Sequence, residues 1–351
     1  MRACDSCFSA ATWPANASPP ESAPATCDFG HGYSNHTRPT TAWVDSLTRL
    51  LSIYEVAPRG VGEPLEVRIQ EDWSLFSLDL RSVERFLRSV FPADHELLKD
   101  GATVRLRAQP EDPAADHIKS WSNFADEIRH RNRYFPQAAP DNDLLGRVLL
   151  ETRTAIGTDT DLFRARVVEG TVPGASEMGA PKAEYATAGR ANPVGIPHLY
   201  LAFALETCVY ETRVANHSRI AVGRFRASRE LQVLNLADID PPDFFSVVEI
   251  ESVADQISQV SIHRYLKALS AELRKPVRVS DQPTEYIPTQ YLCELAKSLG
   301  IDGVLYSSSL DATGRNLVLF DVDAARCVEP PRVVEITSLR ADWREVPNPA
   351  A

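Results

Sequence analysis

An arginine, a tyrosine, a glutamate and a serine in the second half of the chain are residue types from which a binding pocket can be built. Arg190 lies in "AGRANPVGIP", where Gly189, Pro193, Gly195 and Pro197 force an irregular loop. A guanidinium there can offer its planar fork to a phosphate, or stand at the surface. Tyr200 falls in "HLYLA", as core or as the wall of a ring-binding pocket. Glu211 sits among Leu205, Cys208, Val209 and Tyr210, where a carboxylate is costly unless it is paired or used. Glu206 and Arg213 also give that segment a polar side on which Glu211 can face solvent. Ser307, Ser308 and Ser309 close the apolar run "GVLYSSS", a position where serines commonly form turns. Arginine, aromatic, carboxylate and hydroxyl together suit a ligand that carries both a phosphate and a ring, as a nucleotide does.

A second set of chemistry-bearing residues opens the chain. Cys4-x-x-Cys7 is followed by Cys27 and His31, and zinc sites favour such a CxxC knuckle joined across a loop to two further Cys or His ligands. Gly30 stands where a second CxxC would place its sulfur, so His31, or else His36, supplies the fourth ligand. Without metal, the same residues are a leader with three incidental thiols. Cys208, Cys293 and Cys327 lie in apolar segments and read as small buried hydrophobes.

Several chemistries are missing. The chain has no GxxxxGK[ST] and no GxGxxG phosphate loop, no GxSxG elbow and no HExxH. A net charge of -11 argues against nucleic-acid binding by the whole surface. "EIRHRNRYF" (127–135) is the local exception, read as a solvated basic helix end and not as a nucleic-acid patch. No apolar run reaches the roughly 18 residues of a membrane span, and the first residues lack the apolar core of a secretory signal. A reducing cytoplasm is expected, in which the sequons at Asn16, Asn35 and Asn216 are chance matches.

These residues have to be positioned by three kinds of chain. Residues 1–40 are rich in Pro, Ala and Ser and predict a loop-dominated head. Residues 41–155 carry helical periodicity in Trp43–Leu47–Leu50–Leu51–Tyr54, in Val83–Phe86–Leu87–Val90 ending at Pro92, in Ile118–Trp121–Phe124–Ile128 and in Leu144–Leu145–Val148–Leu149. Between the first two, "LEVRIQEDWSLFSLDL" alternates and predicts a short strand pair. From 156 the pattern mixes strands ("LFRARVV", "HLYLA", "RIAVGRF", "LQVLNL", "GVLYS", "NLVLFDV") with helices at 205–214, 243–273 and 286–299. No βαβ unit repeats, so the fold class expected is α+β. The tail at 341–351 is expected to be loose.

The second half resembles the RES domain family, which is named for its Arg, Glu and Ser. The resemblance is carried by "LFRAR", "AGRANPVGIPHLYLAFALETCVYET" and "GVLYSSSLDATGRNLVLFD", covers roughly residues 156–330, and sets the expected domain at 156–340. It implies a fold similar to ADP-ribosyltransferases and an enzyme that degrades NAD by breaking the nicotinamide–ribose bond. The acceptor is water or inorganic phosphate, with ADP-ribosyl transfer to a macromolecule and non-catalytic nucleotide sensing as the alternatives. Residue by residue, it implies Arg164 and Arg190 as a pyrophosphate clamp, Tyr200 packed on the nicotinamide end, Glu211 stabilising the cationic ribose and Ser308 beside it. Ala191 stands where the family carries Trp, and Ser307 where it carries Pro, so the aromatic wall is either missing or supplied elsewhere and the serine's work falls on one of three. Several RES proteins act as toxins restrained by an antitoxin, which implies such a partner here. The helical region 41–155 resembles the HEPN-type domain that accompanies some RES proteins. Its ribonuclease motif is matched only loosely by Arg88 and His95, with Pro92 between them, so a structural or regulatory role is expected.

Overall fold

The computed structural model describes residues 1–9, 22–107, 113–243, 247, 250, 252–275 and 283–339. The tail 341–351 and Asn16 lie outside them. The chain divides into two compact units, Met1–Lys119 with Ile239–Lys267, and Ser120–Asp238 with Ala268–Ala351. The expected edge near residue 155 falls inside the second unit.

In the first unit the head is a sheet, not a run of loops. Strands β1 (Arg2–Cys4), β2 (Ala23–Cys27) and β3 (Gly32–Pro39) pair antiparallel in the order β1-β3-β2. Arg2 explains part of this: its amide donates to Asp28 Oδ2 at 2.6 Å and its guanidinium to the Thr37 hydroxyl and carbonyl. Helices α1 (Val44–Leu51), α2 (Leu65–Trp73) and α3 (Leu80–Val90) and the strand pair β4 (Tyr54–Val56) and β5 (Val104–Leu106) follow. The strand pair expected over 65–80 is largely helix. Pro64 caps α2, and Leu65, Ile69 and Trp73 recur every four residues on its buried side, so the helical period outweighs the local alternation. As expected, α3 stops before Pro92, with Asp79 capping its first turn through Ser82 N.

The unit's core is a ring cluster in which Phe8, Phe29, Trp43 and Phe76 all pack on Phe86 at centroid distances of 5.1–5.7 Å. Beside it lies a fully buried carboxylate. Asp72 receives both Nε and Nη2 of Arg264 at 2.6 and 2.5 Å and the Tyr54 hydroxyl at 2.7 Å, while Trp73 Nε1 donates to that hydroxyl at 2.9 Å. Burial and the Asp72 charge push the Tyr54 phenol well above its ordinary value. Arg264 comes from 192 residues along the chain, so this bidentate pair ties segment 239–267 to the rest of the unit.

In the second unit, α4 (Pro113–His130) buries Trp121, Phe124 and Ile128, and α5 (Asn142–Glu151) buries Leu145, Val148 and Leu149. One mixed sheet follows: β6 (Arg153–Ile156), β7 (Leu162–Val167), β8 (Leu199–Ala202), β9 (Arg219–Ala227), β10 (Leu231–Leu236), β11 (Gly303–Ser307), β12 (Arg315–Leu319), β13 (Ala325–Cys327) and β14 (Arg332–Glu335). Its order is β13-β9-β7-β8-β12-β11-β10-β6, with β14 on β9. Residues 120–155 belong here because β6 pairs with β10 and α5 packs on a late helix, α8 (Ile287–Ser298). Every described pairing is antiparallel except β10–β11, whose crossover carries α7 (Val253–Arg274) and α8. Both faces are covered: Leu162, Leu199, Leu201, Leu305 and Leu317 on one side, and Ile220 and Val222 under Phe163, Ala165, Leu205 and Val209 on the other. The short α6 (Leu205–Glu211) supplies the last two and lies against β7.

Two outcomes are expected. Asp72→Ala leaves Arg264 buried without its partner and lowers the unfolding free energy by about 3–5 kcal/mol, read from urea denaturation, whereas Tyr54→Phe costs about 1 kcal/mol. Burial, helped by Lys297, pushes His198 down to about 4 from 6.5, so it is neutral in the folded protein and protonates first in the unfolded one. Stability due to this group is therefore intact above pH 6.5 and falls as the pH drops towards 4, by at most about 1.4 kcal/mol per pH unit. His198→Asn should lose less stability across that window than wild type.

Candidate active site

The site forms where two neighbouring strands part. β11 and β12 are paired along their length, but β7 and β8 share only the register pair Phe163↔Ala202. Beyond it β7 follows β9 and β8 follows β12. A cavity of about 280 Å³ lies at the split, lined by Phe163, Arg164 and Ala165 of β7, Tyr200, Leu201 and Ala202 of β8, Cys208, Glu211 and Thr212 at α6, Tyr306 of β11 and Asn316 of β12. That volume is just under the range usual for small-molecule sites, about 300–1,000 Å³. It suits one end of a larger ligand.

Arg164 is the cavity's cation. Its Nη1 donates to the Tyr200 carbonyl at 2.8 Å, while its Nε is buried without a partner. Burial, with the Arg166 charge nearby, lowers its pKa to about 10, so it stays charged at neutral pH. A half-buried guanidinium whose Nε is buried without a partner is costly, and an incoming anion removes that cost.

Glu211 is the cavity's anion. α6 ends on it because Arg213 takes a left-handed φ of 51°, so the expected helix to 214 stops short. A carboxylate at a helix C-terminus faces the negative end of the helix dipole and needs other support. Two donors supply it: Ser308 Oγ and Asn316 Nδ2 both reach Oε1 at 2.7 Å. The Ser308 hydroxyl already accepts from the amides of Leu310 and Asp311 at 3.1 and 3.2 Å, which directs its proton to Glu211. Asp311 in turn accepts from Thr207 of α6 at 2.6 Å, fastening that loop to the helix. Among the described residues no ion pair joins Arg164 to Glu211 or either to another charge, so one cavity presents both signs to a ligand.

The three serines divide the work. Ser307 donates to the Ala237 carbonyl at 3.1 Å, Ser308 holds Glu211, and Ser309 accepts from Arg190 Nη2 at 3.2 Å. Arg190, expected as a free phosphate fork, is committed: its other arm donates to the Leu273 carbonyl, and it does not line the cavity. Tyr200 lines the cavity with its ring and braces the loop with its hydroxyl, which donates to Asn192 Oδ1 at 2.7 Å and accepts from Ala191 N at 3.2 Å. Ala191 is fully packed, and the rings around the cavity are Phe163, Tyr200 and Tyr306. Asn316 and Tyr306 went unread as site residues, although an asparagine opening the apolar strand "NLVLF" is itself an anomaly that a ligand or a carboxylate explains.

The remaining candidates lie elsewhere. Cys208 lines the cavity, but burial pushes its thiol up to about 12, and that of the buried Cys293 higher still, so neither is a nucleophile at neutral pH. The basic stretch at 127–135 is spent internally: Arg129 pairs with Glu272 and Arg131 with Asp126. Arg88 is held by Glu84 and Asp100, and His95 packs on Phe91 beyond Pro92. Cys4, Cys7, Cys27 and His31 converge in the head of the first unit. No described helix is long and apolar enough to cross a membrane.

The family described as the RES domain matches residues 161–344, just over half of the 351-residue chain. Among solved structures, a chain from the M. tuberculosis MbcT–MbcA toxin–antitoxin complex is similar at 16% identity and a TM-score of 0.31, over 55% of this chain and 92% of that one. No curated protein matches.

The loop geometry has a direct test. A Cβ at Gly189 would lie 2.5 Å from the Tyr200 hydroxyl and 2.6 Å from Asn192 Oδ1. Gly189→Ala should therefore cost about 1–3 kcal/mol in thermal or urea unfolding. Gly170→Ala, with open space around its Cβ, should stay within about 0.5 kcal/mol.

Proposed function

Because the chain belongs to the RES domain family, we propose that it breaks the nicotinamide–ribose bond of NAD, with Glu211 facing the reacting sugar. The observation that carries this reading is the Glu211 carboxylate, held through one oxygen by Ser308 and Asn316 on the wall of a cavity that also contains an unneutralised Arg164. NAD needs both signs: a cation for its diphosphate, and an anion where the ribose becomes positive.

The bond between ribose C1′ and the pyridinium nitrogen breaks with its electron pair going to nitrogen, so nicotinamide leaves neutral and needs no general acid. Positive charge develops on the ribose as an oxocarbenium-like transition state. A fixed carboxylate stabilises that charge without reorganising. Ser308 and Asn316 occupy one oxygen and leave the other for the ribose. The oxygen of water then bonds to C1′ and its proton passes to Glu211 or to solvent, giving ADP-ribose. Phosphate in place of water gives ADP-ribose 1″-phosphate. Phe163, Tyr200 and Tyr306 supply ring surfaces for the nicotinamide end, and Arg164 takes the diphosphate. Arg190 acts at one remove, by holding the 189–192 loop and Ser309. Because such an activity would drain the cell that makes it, the reading includes a restraining partner protein that blocks the cavity. The first unit is assigned a structural or regulatory role.

Purified full-length protein incubated with NAD should release free nicotinamide, with chromatography of the co-product in the presence and absence of phosphate identifying the acceptor. Glu211→Gln should lower kcat about 10²-fold or more. Asn316→Ala and Ser308→Ala should lower it about 10-fold or more, each leaving one donor on the carboxylate. No nicotinamide from wild type, or undiminished release by Glu211→Gln, overturns the assignment.

A further inference from the structure

We infer that Cys4, Cys7, Cys27 and His31 form a tetrahedral zinc site that locks the head sheet onto the ring core of the first unit. This lies apart from the NAD reading and shares no residue with the cavity.

The four ligand atoms come from four different points of the head. Cys4 ends β1, Cys7 ends the 3₁₀ turn that follows, Cys27 ends β2, and His31 stands at the tip of the β2–β3 hairpin. Yet the four atoms lie within 4.8 Å of one another. Cys4 Sγ and Cys7 Sγ are each 3.4 Å from His31 Nδ1, Cys27 Sγ is 3.8 Å from it, and Cys7 Sγ is 3.5 Å from Cys27 Sγ. Zinc–sulfur bonds of about 2.3 Å and zinc–nitrogen bonds of about 2.0–2.1 Å at tetrahedral angles give edges of roughly 3.5–3.8 Å. A disulfide would hold its sulfurs about 2.05 Å apart, and all three cysteines are free. One disulfide would in any case leave a third buried thiol and the imidazole without a role.

The hairpin is shaped for a ligand. Gly30 and Gly32 flank His31 at φ values of 92° and 71°, a conformation that costs glycine little and any other residue more. This is why the ligand is His31 and not residue 30: the left-handed glycine turns the chain so that the next side chain meets the sulfurs. The Phe29 amide points at Cys27 Sγ from 3.5 Å, an orientation that stabilises a thiolate. Arg85 stacks over the Phe29 ring at 5.0 Å and donates to the Asp28 carbonyl, placing a cation beside a site whose three thiolates outweigh the metal's charge by one. His36, the other candidate ligand, is exposed and sits with Ser22.

The site also answers a need of the sheet. Most residues of β2 and β3 are exposed, so these two strands bury little of their own. The turns beside the ligands add two rings, Phe8 next to Cys7 and Phe29 two residues after Cys27, and both pack on Phe86. A metal that fixes Cys7 and Cys27 fixes both rings, which is how small domains short of apolar core are commonly stapled.

The test is metal analysis of the full chain purified without chelator and without a histidine tag. About one zinc per chain is expected under the four-ligand geometry, and protein prepared with cobalt should show the visible ligand-field and thiolate charge-transfer bands of a tetrahedral sulfur-rich site. His31→Ala should lose or weaken the metal while His36→Ala keeps it, and zinc removal by chelator should lower Tm. Should Cys7→Ser fail to fold, the cobalt spectrum of wild type still decides. A chain free of zinc that gives no cobalt bands, a thiol count after denaturation showing two cysteines oxidised, or full zinc retention in both Cys7→Ser and His31→Ala would overturn the site.

Discussion

The parting of β7 from β8 is the constraint on which the cavity of the second unit depends. Two strands in the middle of a sheet normally satisfy each other's backbone groups, because an unpaired buried carbonyl or amide is costly. Here the pairing ends after Phe163↔Ala202, and the Arg164 side chain bonds the Tyr200 carbonyl. Three consequences follow from that one departure. Space opens inside an otherwise continuous sheet. A guanidinium is drawn into that space with a spare donor. The rings of Phe163 and Tyr200, which continued pairing would set against neighbouring side chains, face a cavity.

The opposite wall is built on a second broken rule. Glutamate at the last position of a helix is misplaced with respect to the dipole, and nothing in the apolar face of α6 requires it. Its oxygen is held by a serine from the loop after β11 and an asparagine from the start of β12, so elements distant in sequence converge on one atom. Stability alone gives no reason to assemble a buried serine, a buried asparagine and an unneutralised carboxylate. Places where local preference is violated and then carefully supported are where function is expected. Arg164 and Glu211 are two such places on one cavity, and neither is satisfied by the other.

How far this could be read from sequence depended on what each signal encodes. Strands such as "LQVLNL" and "GVLYS" announce themselves because both faces are covered and the run is apolar throughout, and α3 announces itself through its four-residue apolar rhythm and the proline behind it. Residues 65–73 misled because Leu65, Val67, Ile69 and Trp73 satisfy an alternating period as well as a helical one, and only the exposed Glu71 beside the buried Asp72 breaks the alternation. The head misled because its strands bury little and carry no apolar alternation. Of the residues in the family pattern, Arg164, Tyr200 and Glu211 line the cavity at the split, and Ser308 bonds Glu211. Asn316 and Tyr306 escaped because their significance is a register: they pair across β12 and β11, and only that pairing brings the amide to Glu211 and the ring to the cavity. No local feature of the sequence states a register.

Arg190 shows the same limit from the other side. In sequence it is a cation in a glycine- and proline-rich loop, which is what a phosphate clamp looks like. Parallel pairing of β10 with β11 requires a long crossover, and that crossover returns over this loop. The last turn of α7 presents the Leu273 carbonyl to Arg190, and α8 presents Thr289 to the Arg190 carbonyl and Gln290 to the carbonyls of Gly189 and Asn192. A loop clamped at so many points is fixed by its own hydrogen bonds. What it can do is hold the Tyr200 hydroxyl and Ser309 still, and Ser309 adjoins the serine that orients Glu211. Arg190 thus holds its own loop in place, and the half-buried Arg164 is the guanidinium that lines the cavity.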